Sequence, residues 1–454
     1  IGGIQAALDL AESGYYVYLV ERSPAIGGVM AQLDKTFPTL DCSLCILSPK
    51  LVECGRHPNI EIITQGEVEA LEGEPGNFRV LVRKSPRYIV EDLCTGCGEC
   101  AEVCPVERPN PYEEGLANRK AIYRPYPQAI PNIFTITKNE RPPCTTTCPI
   151  NTNAQGYIAL IGQGKFKEAL DLIREKNPLP AICGRVCTHP CEGECSRGEV
   201  DEPLAIRALK RFVADYEAQL EEEITPFERT REEKVAIVGS GPAGLTCAHD
   251  LARMGYGVTV FEALPVAGGM LAVGIPEYRL PKQVLRKEIE RIRRLGVEFR
   301  LNTRIGTDLT LDDLWREGYK AVFLATGAHR SMRLNVPGED LEGVYHGVDF
   351  LRDLNLGREV RVGPRVVVIG GGNVAIDSAR TALRLGAQEV TILYRRSRQE
   401  MPASAEEVEA AEQEGVKIRF LAAPVRILGR DGKVVGLECI RMELGEPDAS
   451  GRRR

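Results

Sequence analysis

Residues 234–238 are an apolar run that leads straight into Gly239, Gly241 and Gly244 and then into a helix-forming stretch. This order of strand, glycine turn and helix is the tightest constraint in the chain, because few folds ask for three glycines at that spacing. Gly239 permits a sharp turn, Gly241 lets the backbone approach a pyrophosphate, and Gly244 lets helix and strand pack closely. The helix N-terminus then faces the phosphate charge. The next apolar run, 258–261, ends in Glu262, an acid placed to accept hydrogen bonds from ribose hydroxyls. A purely structural glycine turn would require neither that acid nor both flanking elements.

The device recurs. Residues 365–369 lead into Gly370, Gly372, Asn373 and Ala375, with alanine in the third place. The following strand, 390–393, ends in Tyr394, Arg395 and Arg396 rather than in an acid. Losing the carboxylate and gaining guanidinium groups suits a 2′-phosphate, so NADPH is favoured over NADH. A solvated basic surface is the other reading of these arginines. Two such units predict an α/β fold of doubly wound, parallel, Rossmann-type domains. Gly268 and Gly269, and Thr326 and Gly327, resemble the segments that close over FAD in flavoprotein disulfide-reductase-like folds.

Cysteine is the strongest compositional signal, with 15 residues. All but Cys247 and Cys439, which read as packed thiols, lie in short-spaced groups. Nucleotide-binding signatures surround these groups, so cluster ligation in a reducing compartment is expected rather than a disulfide scaffold. Cys94, Cys97, Cys100 and Cys104, followed by Pro105, are the bacterial ferredoxin run. Such close turns aim several soft thiolates at one 4Fe–4S centre. Cys144, Cys148, Cys183, Cys187, Cys191 and Cys195 are a second set, richer than the four thiolates that one cluster needs. For Cys42, Cys45 and Cys54 three readings are open: redox thiols near a flavin (Cys42 and Cys45), cluster ligands, or buried structural thiols. The histidines form no ligand constellation, and the acidic stretch 406–414 reads as a solvated helix face.

The length, 454 residues, suits roughly three domains of about 150. The net charge of −6 is mild and interspersed, which argues against a nucleic-acid surface. Neither a membrane-spanning run nor a signal-peptide pattern is present, and a cytoplasmic location is expected. The expected organisation is a partial FAD-binding domain (1–90), a ferredoxin-like insert with a Pro-rich connection (91–143), an α-helical iron–sulfur domain (144–225), the first half of an FAD-binding domain (226–345) and an NAD(P)-binding domain (346–454). Ile1 and Gly2 begin within a glycine motif, so a longer natural protein is expected, with an N-terminal flavin site that this piece would not fill.

Gly239 to Gly244, residues 274–281, Thr326 with Gly327, Gly370 to Asp377 and residues 394–402 together resemble the small subunit of glutamate synthase and its relatives. The thiol set from Cys144 to Cys195 resembles that family's N-terminal cluster domain. Residues 33–50, His57 to Asn59, the placement of the ferredoxin run and Tyr126 to Pro131 resemble the A-type component of heterodisulfide reductase, over about the first 135 residues. There Gly3, Glu21, Gly27 and Gly28 correspond to a further FAD-binding glycine turn, acid and loop. These resemblances imply a flavin and iron–sulfur oxidoreductase that moves electrons between NAD(P)H, FAD and 4Fe–4S clusters. They also imply an electron-bifurcating complex, with heterodisulfide reductase B/C-like or ferredoxin-type partners. The alternatives are an NADPH-fed input component of a glutamate synthase-like enzyme and a relay module without turnover.

Overall fold

The computed structural model describes residues 1–138, 141–217, 224–447 and 453. These fall into two compact units, Ile1–Pro143 with Gly193–Leu204, and Cys144–Glu192 with Ala205–Arg454.

In the first unit, helix α1 (Gly2–Glu12) buries Ile4, Ala7, Leu8 and Ala11, the helical spacing of one face. That face packs with Leu47, Leu51 and Cys54 of α2 (Ser43–Arg56). Strand β1 (Val17–Glu21) pairs in parallel with β2 (Ile60–Thr64), Val17 opposite Ile60. An antiparallel hairpin follows, β3 (Gly66–Glu74) and β4 (Asn77–Lys84). Helix α3 (Glu99–Glu102) is a single turn. Beyond it come two small antiparallel pairs, β5 (Glu107–Pro109) with β6 (Asn118–Lys120), and β7 (Ile122–Tyr123) with β8 (Thr135–Ile136). The proline-punctuated stretch thus forms no long helix among the described residues.

A run of short helices, lying in the second unit apart from Pro143 and Gly193, comes next: α4 (Pro143–Thr146), α5 (Ala154–Gly162), α6 (Phe166–Arg174), α7 (Pro180–Val186), α8 (Pro190–Gly193) and α9 (Ile206–Glu217). They close around Tyr157, Leu170, Ile173, Ile206 and Val213. The helical spacing over 157–173 is interrupted after Gly162, where Gly164 takes a φ of +74°. The last helix starts at Ile206 rather than at Pro203, and the expected end at Leu220 lies outside the described residues.

Strand and helix then alternate: β9 (Lys234–Val238), α10 (Pro242–Arg253), β10 (Gly257–Phe261), α11 (Met270–Val273), α12 (Lys282–Arg294), β11 (Glu298–Arg300), α13 (Leu311–Arg316) and β12 (Tyr319–Leu324). Every pairing in the sheet β11-β10-β9-β12 is parallel. The strand order reverses beside β9, so the crevice between β9 and β12 is the topological switch point where such sheets bind ligands. After α14 (Gly347–Asn355) the pattern repeats with β13 (Arg365–Ile369), α15 (Asn373–Arg384), β14 (Glu389–Tyr394), α16 (Ala405–Gln413) and β15 (Lys417–Phe420). These three strands are parallel, and a hairpin of β16 (Ala422–Arg430) and β17 (Lys433–Arg441) follows. The chain is therefore mixed α/β with Rossmann-type parallel sheets and a separate helical portion. Among the described residues no helix is long and apolar enough to cross a membrane.

Candidate dinucleotide and iron–sulfur sites

Three glycine segments meet at the carboxyl end of β9. Gly239 has a φ of +107°, and a Cβ placed on it would lie 2.2 Å from the Ala325 carbonyl oxygen. A Cβ on Gly244 would lie 1.9 Å from Gly239 O, so α10 packs onto the turn only because that side chain is absent. Gly269 approaches the Gly241 backbone so closely that a Cβ would sit 2.7 Å from the Gly241 Cα. The Gly268 N–H donates to Ser240 O (3.1 Å) and Oγ (3.0 Å). Gly241 itself is different: a Cβ there would meet nothing within 4 Å. It opens the first turn of α10 to space, beside helix N–H groups that have no intrahelical partner. Thr326 and Gly327 follow β12 and are exposed on the same edge of the sheet.

Glu262 lies at the end of β10 and is buried. Its carboxylate accepts from the Ser240 N–H (3.0 Å), the Ser240 hydroxyl and the Leu264 N–H (2.8 Å). The acid is thereby locked against the glycine turn. Ser240, which the sequence reading passed over, makes that connection.

The second turn repeats the first. Gly370 takes a φ of +132° and Gly372 an extended conformation, and Asn373 opens α15 with its side chain exposed. Ala375 is buried under Gly370. Gly371, which the motif does not specify, is fixed by Tyr394: a Cβ there would lie 2.6 Å from the ring. The two arginines separate. Arg395 is exposed, whereas Arg396 is 7% exposed and its carbonyl accepts the Leu421 N–H.

An ion network, most buried at Asp377, ties Arg279 to α15 and to the acids of 407–414. Arg279 donates to Asp377 at 2.8 Å and pairs with Glu407 at 3.0 Å, while Arg380 and Arg384 both hold Glu414. The Tyr278 ring lies 4.6 Å from the Arg380 guanidinium carbon and 4.0 Å from that of Arg384. Hydrogen bonds from Arg384 and Arg380 hold Glu414 down to about 2, whereas burial pushes Asp377 up to about 6 against the pull of Arg279. The acidic stretch 406–414 is thus not wholly a solvated face, since Glu407 and Glu414 are committed to these arginines. The expected free face holds only in part, because guanidinium groups of α15 lie opposite one side of α16.

In the first unit the acid and glycine geometry appears again. Glu21 accepts the N–H two residues on, from Ser23 at 2.7 Å, as Glu262 does from Leu264. Gly27 and Gly28 have φ of +129° and +58°, and Gly268 and Gly269 have +117° and +54°. Gly3 lies in α1, near Leu19 of β1. Tyr126 closes over Gly27 and donates to the Ile26 carbonyl. Cys42 and Cys45 are joined as a disulfide at the N-terminus of α2, and Cys54 is buried in the core.

The ferredoxin run follows loops around α3, with Cys97 exposed. Burial pushes the Cys100 thiol up, and the neighbouring Cys94 and Cys97 add to that rise. Within the helical portion, burial pushes Cys191 up to about 11, with Cys187 and Cys148 contributing. Burial also raises Cys183, to which Cys187 adds. Burial opposes ionisation of Cys148, yet hydrogen bonds from Thr152 and Ile150 carry its thiol below the ordinary value. Cys144 packs against the helical core, and Cys195 belongs to the segment grouped with the first unit. Among the described residues no three His, Cys, Asp or Glu side chains are close enough to hold a single metal ion. Grouped soft thiols that bear on one another's ionisation are the donor set that an iron–sulfur group takes.

Comparison with known proteins agrees with this picture. Residues 233–448 match the family described as pyridine nucleotide-disulphide oxidoreductase. Residues 136–222 match domain II of dihydropyrimidine dehydrogenase, 4Fe-4S cluster, and 87–107 match the 4Fe-4S binding domain. The chain is 53% identical over 339 residues to the NADP(+)-dependent formate dehydrogenase subunit beta of Moorella thermoacetica, spanning 69% of this chain and 48% of that one. It is 48% identical over 334 residues to the NADPH-Fe(3+) oxidoreductase subunit beta of Geobacter sulfurreducens, spanning 71% and 49%. The chain thus spans about half the length of these two relatives. With the glutamate synthase (NADPH) small chain of Escherichia coli it shares 38% identity over 371 residues, 77% of this chain and 78% of that one.

Proposed function

Because this chain belongs to the family of the glutamate synthase small chain, we propose that it is the NADPH-oxidising, FAD-dependent part of an iron–sulfur oxidoreductase. The observation that carries this reading is the meeting of three glycine segments at the switch point beside β9, with Gly241 opening onto free space. Gly239, Gly241, Gly244, Glu262, Gly268, Gly269, Thr326 and Gly327 would hold FAD. Gly370, Gly372, Asn373 and Ala375 would hold NADPH, with exposed Arg395 meeting the 2′-phosphate and buried Arg396 fixing that loop. Cys94, Cys97, Cys100 and Cys104 would ligate one 4Fe–4S cluster, and thiols of the set from Cys144 to Cys195 would ligate a second. FAD, when bound, takes two electrons as hydride from the nicotinamide and releases them singly to such clusters. The protein's own part is orientation. The glycine turns would hold the pyrophosphates at helix N-termini, and the ion pair of Arg279 and Asp377 fastens residues 274–280 to α15.

The relatives carry the names of a small chain and of beta subunits, which supports partner subunits for this protein too. The finer reading is an electron-routing complex of the heterodisulfide reductase type in the cytoplasm, with a partial FAD-binding domain at 1–90, a ferredoxin-like insert at 91–143 and the remaining boundaries as read from the sequence. Its support is the repeated geometry of Glu21, Gly27 and Gly28. Cys42 and Cys45 would then be a redox pair next to that loop, since Ser43 Oγ donates to Met30 O at 2.6 Å.

Anaerobic titration with NADPH, followed by absorbance, tests the central reading. Bleaching of the flavin by NADPH but not by equal NADH, followed by cluster reduction, is expected. A flavin that ignores both nucleotides would mean a relay fed from elsewhere, and hydride entry at this chain would fail.

A further inference from the structure

Lys210 is 7% exposed and belongs to the inward face of α9, with Ile206, Val213 and Ala214. A buried ammonium is costly unless something negative faces it. Among the described residues Lys210 has no hydrogen bond or ion pair. The carboxylates in that region are committed elsewhere: Glu192 accepts the Arg207 N–H at 2.7 Å and faces His189, and Glu288 accepts the Ala181 N–H at 2.9 Å.

The α9 face that carries Lys210 packs into the core that Cys144 and Cys191 also line. Helices α7 and α9 cross at near backbone contact, where a Cβ on Gly184 would lie 2.7 Å from the Arg211 Cα. Cys183 is carried by α7 and Lys210 by α9, so both belong to this closely crossed helix pair. Tyr157 donates to Ile206 O at 3.1 Å, one turn earlier on α9, and Cys144 and Cys191 pack against the same core.

We propose that Lys210 is an electrostatic positioning residue for the cluster of the helical portion: its buried charge offsets the negative charge that the cluster and its thiolates bring, and favours the reduced state. The inference rests on the reading that these thiols hold an iron–sulfur cluster. Reduction adds one electron to an already anionic group, and a fixed cation in a poorly polarisable interior stabilises the more negative state. Lys210 therefore makes this cluster easier to reduce than it would be beside a neutral side chain.

The test compares K210M, which keeps length and burial but removes charge, with K210R, which keeps charge. Iron and sulfide content is measured for each, and the midpoint potential of each cluster is followed by low-temperature EPR. In K210M the reduced-to-oxidised ratio of the helical-portion cluster should fall roughly tenfold at a fixed potential, equivalent to about 59 mV for one electron. K210R should stay near the wild type, and the cluster at Cys94 to Cys104 should not move. Loss of the helical-portion cluster in K210M with retention in K210R also supports the charge requirement. An unchanged potential in a fully loaded K210M, or equal cluster loss in both variants, overturns the proposal. A wild type whose iron is confined to the ferredoxin run removes the underlying cluster reading instead.

Discussion

At the scale of single residues, glycines and arginines that look alike in sequence have separate tasks. Gly241 and Gly244 belong to one motif, yet a Cβ meets nothing at the first and lies 1.9 Å from a carbonyl oxygen at the second. G241A should therefore fold with an unchanged melting temperature in the flavin-free state while its FAD content falls. G244A should lose both, because the helix must move off the turn. Calorimetry and flavin absorbance on the two variants check this, and equal melting losses would refute the division. The same logic divides Arg395 from Arg396. An exposed guanidinium on a phosphate makes a charge-assisted hydrogen bond of about 1.5–3 kcal/mol. R395A should accordingly raise the KM for NADPH about 10- to 100-fold, with kcat and the use of NADH little changed. R396A removes a buried side chain and should show as lost stability. The sequence placed both arginines at the strand end but not which one is buried, since that depends on the β15–β16 connection folding over Arg396.

Elements show where sequence reading succeeds and where it stops. The strands around both glycine turns were legible because apolar runs, glycines and the terminal acid all agree. Helix α2 was not: Pro49 lies inside it, and its buried stripe of Ser43, Leu47, Leu51 and Cys54 opens on a polar residue. The hairpin of β3 and β4 is exposed on both faces, so it leaves little alternation to read, and only a strand near 78–82 was expected. The hydrogen bond that ties α12 to α7 was invisible from sequence, because it comes from one acid beside the apolar cluster that Ile182 shares with Leu285 and Ile289. Glu288 is buried, accepts the Ala181 N–H, and leaves its Oε2 without a partner. Burial pushes it up from 4.5 to about 7, against the pull of Arg174. Because the folded value is raised, the folded chain keeps a proton that the unfolded chain has lost between those two values. The stability it contributes is full below pH 4.5 and lost as the pH rises to about 7. The loss is on the order of 3 kcal/mol. E288Q keeps an acceptor for Ala181 but cannot ionise, so it should flatten this fall in melting temperature between pH 5 and 8. E288A orphans the Ala181 N–H and should destabilise at every pH, by about 1–3 kcal/mol. A slope left intact in E288Q would mean that another group controls this pH range.

Across the whole molecule, the division into two compact units parts the ferredoxin run from all of the second thiol set except Cys195. The ferredoxin run lies in the first unit, whereas both Rossmann-type turns and Cys148, Cys183, Cys187 and Cys191 lie in the second. If electrons enter as hydride from NADPH, everything needed for entry is in the second unit. Removing a ligand from the first should then shorten the electron path without closing its entrance. C97A is suited to this, because Cys97 is exposed and its loss leaves no core cavity. The variant should lose about four irons, one 4Fe–4S cluster's worth. It should still bleach its flavin with NADPH at close to the wild-type rate. C187A should lose iron as well, but from the unit that carries both Rossmann-type turns, and under the proposed reading electrons should then collect on the flavin instead of passing to iron. Stopped-flow absorbance on both variants under anaerobic conditions resolves the order. If C97A slows flavin bleaching as strongly as removal of a nucleotide-site residue does, the two units do not act in series, and the entry of electrons through the second unit is refuted.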